Sequence, residues 1–294
     1  MRRKALALAP LAAVLLLAAC GTATNSASSG SPSASGSSGS ASPSATCTKD
    51  SLDTYADGKL TVATGEPAFS PWVEDNKPES GKGYEAAVAY AVAKQLGFDA
   101  ADVAWVRTTF DGAIAPGPKK FDFNIQQYSI TDERKKAVDF SSSYYDLSQA
   151  VVSYKGSPIA DVTTVAGLKD AKLGAAIGTT SLKAINDQIQ PTTKAKVYND
   201  NAAAVTALKN KQIDGLVVDL PTAFYLAAAE IDNGVIVGQL PDSASDKEQL
   251  GLLLAKNSPL TTCVTEAVDA LREDGTLAKL QDEWLAQAGA PVLS

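Results

Sequence analysis

KLGAAIGTTSLKAINDQIQPTTKAKVYNDNAAAVTALKNKQIDGLVVDLP, residues 172–221, decides the fold class. Short apolar runs alternate in it with helical patterns: strands over 172–176, 195–198 and 215–218, helices over 181–189 and 201–209, and Pro191 placed to end the first helix. Strand and helix in alternation imply parallel sheets with helices on both faces. The same rhythm fills the preceding part of the chain. Leu60-Thr61-Val62-Ala63 reads as a strand, and 103–106 and 121–125 as two more. Residues 84–96 carry Val88, Ala91, Val92 and Leu96 at helical spacing, with Gly97 where helices commonly stop. Two helices, 259–273 and 276–287, close the chain, separated by Gly275.

The two rhythmic blocks read as two α/β lobes. Residues 47–148 form the first, 149–250 the second, and 251–294 return to the first. Tyr144-Tyr145-Asp146-Leu147-Ser148-Gln149 spans one junction and residues 246–250 the other. Ligands of open α/β sheets sit at the carboxyl ends of strands, so facing lobes would place such ends across one cleft.

The N-terminal stretch is an address. Arg2-Arg3-Lys4 precedes an apolar run, 5–19, and Leu17-Ala18-Ala19-Cys20 follows the layout of a secretory signal. The run is shorter than the roughly 20 residues that span a bilayer. The cut site resembles a bacterial lipobox, in which the cysteine becomes the lipid-bearing first residue; an ordinary cleaved signal with a chance cysteine is the alternative. Both put the working part outside the cytoplasm. Residues 20–46 combine Cys20 with a stretch almost only of Ser, Ala, Gly, Thr and Pro that has no charge and too little apolar surface to offset its chain entropy. A flexible tether of this length spans roughly 25–30 Å.

About 250 residues remain, enough for real cores. The net charge of −7 argues against nucleic-acid binding, which needs basic stripes. Three cysteines are present, and if Cys20 takes lipid then Cys47 and Cys263 are an even pair in an oxidising compartment, expected to bond; two free thiols are the alternative. With no histidine in the chain, neither a zinc site nor any other cofactor is expected.

Three segments at strand ends carry chemistry. In Ser129-Ile130-Thr131-Asp132-Glu133-Arg134, Thr131 is a natural N-cap and Asp132 and Glu133 suit the positive end of a helix. The Arg134 fork then falls in the first turn, where it would grip a carboxylate or simply be solvated. Ile177-Gly178-Thr179-Thr180-Ser181 turns from strand to helix and offers hydroxyls and free N–H groups to an anion. Asp219, directly after Val217-Val218 and before Leu220-Pro221, either caps a helix or points into the cleft. An arginine and a helix start attract a carboxylate and an aspartate attracts an ammonium; a free α-amino acid carries both.

On these residues the chain resembles the family 3 bacterial extracellular solute-binding proteins, the amino-acid-binding components of ABC importers. Further matching segments are Leu60 through Pro67, Gly83-Tyr84-Glu85, Phe110-Asp111-Gly112-Ala113-Ile114, Phe121 through Ile125, Val138-Asp139-Phe140-Ser141, Ala207 through Gly215, and Asp274-Gly275-Thr276 through Trp284. The resemblance implies a two-lobe, type II periplasmic-binding-protein-like α/β fold with a hinge. It implies that Arg134 holds the ligand α-carboxylate with help from Ser129, that Thr180 donates from the other lobe, that Asp219 holds the α-ammonium, and that Phe69 and Phe110 pack the ligand side chain. Permease and ATPase subunits would be its partners, beside the membrane that the lipid reaches, and the chain itself is expected to be a monomer.

The sequence departs from the family pattern in two places. Gln126-Gln127-Tyr128 replaces a small, glycine-containing segment, so Gln127 would narrow the pocket or bond the ligand. Gly65-Glu66 stands where an aspartate is usual; Glu66 would read a donor on the ligand or face water. Trp72 would line the rim or join the first lobe's core. The rival functions are a secreted lyase or dehydratase on the same scaffold, for which Glu66 is the one acid–base candidate, and a ligand sensor.

Overall fold

Leu60–Gly65 is buried at every position, the mark of a strand covered on both faces. It is β1 of a computed structural model that describes residues 47–242, 247–285 and 289–294. The expected signal segment, Cys20 and tether lie outside the described residues. The strands that follow are β2 (Val103–Thr108), β3 (Phe123–Asn124), β4 (Val138–Leu147), β5 (Gln149–Tyr154), β6 (Leu173–Ala176), β7 (Lys196–Tyr198), β8 (Gly215–Asp219), β9 (Gly234–Gln239) and β10 (Glu248–Ala255). The helices are α1 (Tyr84–Gln95), α2 (Phe110–Ile114), α3 (Asp132–Lys135), α4 (Thr180–Ala184), α5 (Asn201–Lys209), α6 (Leu220–Tyr225), α7 (Thr261–Glu273) and α8 (Thr276–Trp284).

Two five-stranded sheets result, ordered β2-β1-β3-β10-β4 and β7-β6-β8-β5-β9. Each defines one lobe of a two-lobe α/β fold. Four strands in each sheet run the same way, but β10 runs antiparallel to β3 and β4, and β5 antiparallel to β8 and β9. The expectation of parallel sheets is thus corrected. A strand that enters directly from the other lobe, with no helix to carry it back, runs against the parallel set.

The boundaries also shift. Glu248, Gln249 and Leu250 already pair with β4, so the chain re-enters the first lobe before residue 251. The end of the chain goes back to the second lobe, where Val292 pairs with Gln239 and Leu293 packs in that lobe's core. The helix expected over 181–189 is α4 followed by a wider turn over Ile185–Ile189; it stops at Gln190, whose backbone is left-handed, one residue before Pro191. The strand expected over 121–125 keeps ladder geometry only at Phe123–Asn124. The last helix ends at Trp284, and the expected end at Gln287 lies outside the described residues.

Alternation along the second lobe's strands fills two cores. Val151 and Val217 face one, with Leu173 and Ile185; Ala150, Val152, Leu216 and Val218 face the other, with Leu208 and Leu226. The first lobe packs Leu60, Val62, Phe123, Leu252 and Leu254 against α1 and α7. Trp72 belongs to this core, fully buried and edge-on to Tyr84 and Tyr145. Its indole N–H donates to Thr222 Oγ1 in the second lobe at 2.8 Å. A disulfide joins Cys47 to Cys263 on α7, with Cα atoms 5.3 Å apart.

Candidate functional site

Strand ends of both lobes meet around a cavity of about 200 Å³. Thr64, Glu66, Phe69, Thr108, Phe110 and Gln127 line it from the first lobe; Thr180, Ser181, Asp200 and Asp219 line it from the second. It is smaller than the roughly 300–1,000 Å³ of drug-sized ligand sites, which suits a small solute.

Thr131 caps α3, its Oγ1 accepting from the Arg134 N–H at 3.2 Å. The capped turn aims the Arg134 side chain inward, and only 8% of the residue stays exposed. The guanidinium lies 5.3 Å from the centre of the Phe110 ring, which itself stacks on Tyr128. One arm donates to Ser129 O at 2.8 Å and the other crosses to Gly178 O in the second lobe at 3.0 Å. Arg134 therefore closes the inner end of the cleft and is not part of the cavity wall. Burial pulls its pKa down, opposed by Glu248, Tyr128, Asp219 and Asp111.

The second lobe supplies the complement. Thr179 caps α4 by accepting from Leu182 N–H at 3.2 Å, which leaves the Thr180 hydroxyl facing the first lobe, 3.2 Å from Ser129 Oγ. Gly178 has φ +72°, and a Cβ there would stand 2.1 Å from Asp111 Oδ1 of the opposite lobe, so the close approach needs glycine. Asp219 precedes α6 without capping it and turns into the cavity wall. Burial, then the charge of Glu248, pushes its pKa up to about 8, while a Gln149 hydrogen bond and Arg134 oppose the shift. Lobe-to-lobe contacts at Gly178, Thr180 and Thr222 make this a closed arrangement.

The remaining expected residues divide. Phe69 and Phe110 are in the cavity wall. Glu66 is too, but its carboxylate is engaged, 3.5 Å from Arg107 Nε and accepting from Asn76 Nδ2 at 2.9 Å. Gln127 lines the cavity while its backbone N–H donates to Glu85 Oε1 at 2.7 Å and its side-chain amide to Glu85 Oε2. Trp72 is core, not rim.

Glu85, Gln149 and Glu248, none of them expected from the sequence, lie behind the cavity wall: Glu85 accepts from Gln127, and Gln149 bonds Ser181, Asp219 and Glu248. Glu85 reads as a first-turn acid, but it is fully buried under the cleft and also accepts the Tyr144 hydroxyl. Desolvation pushes its pKa up to about 7, against the pull of those three donors. A folded-state pKa above the unfolded value means that the folded chain holds the proton more tightly. This contribution to stability is complete below about pH 4.5 and is lost as pH rises through 7. The wild type should therefore lose about 3 kcal/mol of stability between pH 4.5 and 7.5 through this group, and Glu85→Gln should lack that component. Urea unfolding of both proteins at several pH values checks it; parallel profiles would show that Glu85 does not titrate in this range.

Comparison with known proteins places the site in context. The model of bacterial extracellular solute-binding proteins, family 3, matches residues 60–287. The L-cystine-binding protein TcyJ of Escherichia coli K12 is 30% identical over 220 residues, 74% of this chain and 78% of that protein. An ancestral arginine-binding protein bound to glutamine superposes with a TM-score of 0.65 at 31% identity, covering 78% of this chain and 98% of its own. The ancestral amino-acid-binding protein AncCDT-1, a precursor of cyclohexadienyl dehydratase, reaches 0.63 at 31% identity, covering 78% and 95%.

Proposed function

The chain belongs to the bacterial extracellular solute-binding proteins, family 3, and on that premise we propose that it is the amino-acid-binding component of an ABC importer. Its ligand is a free polar or charged amino acid held between the lobes. The observation that carries this reading is the pairing of opposite charges on opposite lobes. Arg134 on the first is buried and Asp219 on the second is half-buried in the cavity wall, and each favours the charged form of the other. A zwitterion answers both: the guanidinium, set behind Phe110 at the closed inner end of the cleft, would attract its carboxylate together with the Thr180 side of α4, and Asp219 in the cavity wall would meet its ammonium. Ser129 acts differently from the family expectation. Its one hydroxyl proton is committed to Glu248 and its oxygen lies 3.2 Å from Thr180 Oγ1, so it is not free to donate to the ligand. Phe69 and Phe110 supply apolar contact for the ligand side chain.

The relatives bind cystine, arginine and glutamine by their names, which supports the amino-acid class without choosing a member. Ligand would dock on the first lobe, and closure would add Thr180 and Asp219. The work is binding, not catalysis. The chain has no histidine, and Glu66, the acid–base candidate, is tied to Arg107 and Asn76. Cys20 would carry the lipid that holds this monomer at the outer face of the membrane, beside its permease and ATPase. Among the described residues no helix is long and apolar enough to cross a membrane.

A thermal-shift screen over the common amino acids tests the reading. One L-amino acid at 100 times its dissociation constant should add about 2.7 kcal/mol of stability. No shift with any of them would overturn it, and conversion of the hit, seen by mass spectrometry, would make the protein an enzyme.

A further inference from the structure

Two of the chain's passages between the lobes run directly from strand to strand, and each sets a polar residue at the first position of a strand: Gln149 opens β5 and Glu248 opens β10. The two are bonded to each other, Gln149 Nε2 donating to Glu248 Oε2 at 3.0 Å. From that link the network reaches the cleft on both sides. On the first lobe, Glu248 Oε1 accepts the Ser129 hydroxyl. On the second, Gln149 Oε1 accepts the Ser181 hydroxyl at 2.7 Å, while its Nε2 lies 3.3 Å from Asp219 Oδ1 and 3.4 Å from Thr180 Oγ1. Gln149 is 6% exposed.

A hinge needs none of this to bend. A buried amide and a carboxylate cost free energy unless every polar atom is partnered, and here the partners are groups of the cleft itself. The carboxylate also stands near a like charge: Glu248 is the main charged neighbour raising Asp219, ahead of Glu85, with Arg134 opposing; Asp219 in turn makes Tyr144 and Tyr145 harder to ionise. Two links of the network cross between the lobes, Gln149 to Glu248 and Ser129 to Thr180. The others lie within one lobe. Parting of the lobes would break the Ser129–Thr180 link across the cleft, while the Gln149–Glu248 bond, next to the Glu248–Leu147 pairing at the hinge, carries the tie between the two halves of the network.

We propose that Glu248 and Gln149 are positioning residues of the amino-acid seat, bonded across the two hinge strands so that closure and assembly of the seat are one event. Glu248 accepts the Ser129 hydroxyl and fixes it beside Thr180; Gln149 holds Asp219 and Thr180 in register with it. The inference rests on the reading of this cleft as an amino-acid site.

The test is isothermal titration calorimetry from pH 5 to 8.5, with the amino acid that gives the largest thermal shift, on wild type, Glu248→Gln and Gln149→Ala. At pH 8.5 each variant should bind roughly 10- to 100-fold more weakly. Glu248→Gln should also move the acid-side fall in affinity to lower pH by about half a unit or more, because one negative neighbour of Asp219 is gone; Gln149→Ala should not move it that way. A merely structural role would weaken binding without that displacement. Wild-type affinity in both variants, or weakening with an unmoved pH profile in Glu248→Gln, overturns the inference and leaves the amino-acid reading standing. A wild type that binds no amino acid overturns both. Thermal unfolding of each variant verifies that it folds.

Discussion

Arg134→Ala should weaken amino-acid binding by about 2–5 kcal/mol, roughly 30- to 4,000-fold. The loss has two sources. The ligand carboxylate would enter a site closed to water by Phe110, Tyr128 and the second lobe with no cation to meet it, and an unpaired buried charge is among the costliest defects that one substitution can make. The closed state would also lose the bond from Arg134 to Gly178 O, one of the contacts holding the lobes together. Arg134→Lys separates charge from shape. It keeps the cation but has a single nitrogen in place of the planar fork whose separate arms reach Ser129 O and Gly178 O, so its affinity should fall between wild type and alanine. Calorimetry at one pH decides the matter, and near wild-type affinity in Arg134→Ala would remove this residue from the seat.

The second large effect concerns stability. Replacing Cys47 and Cys263 together by alanine should destabilise the folded chain by about 2–5 kcal/mol. The bridge spans a sequence separation of 216, for which the chain-entropy model gives about 5 kcal/mol, usually an overestimate. Both cysteines sit in the first lobe's core, against α7 and away from the cleft. Urea unfolding should therefore show an earlier midpoint, while affinity stays within about twofold. Equal loss of affinity and stability would mean that α7 transmits strain to the site.

Much of the fold could be read from the chain because burial on both faces leaves a plain signature. Val217-Val218 and Leu173 through Ala176 are apolar at every position, and the cap and stop residues Thr131, Gly97 and Gly275 mark helix ends. Strand direction leaves no such mark. Nothing in the composition of Gln149–Tyr154 or Glu248–Ala255 says that these strands run against their neighbours, because direction follows from where the chain has come from. The site divides along the same line. Arg134, Thr180 and Asp219 stand at strand ends, where topology alone predicts a cleft. Gln149 and Glu248 are separated by 99 positions, and each by itself is an ordinary polar residue at a junction. Their meaning exists only once the two crossings lie side by side. Glu85 was hidden differently: an acid in a first helical turn normally faces solvent, and only the packing of Tyr144 and Gln127 over it shows otherwise.

The most direct measurement pairs the best-binding amino acid with its decarboxylated amine, on wild type and on Arg134→Ala. If guanidinium and ligand carboxylate meet, wild type should lose at least about 30-fold in affinity when the ligand carboxylate is removed, and Arg134→Ala should lose little further. Equal losses in the two proteins would show that the carboxylate is bound elsewhere and would contradict the account.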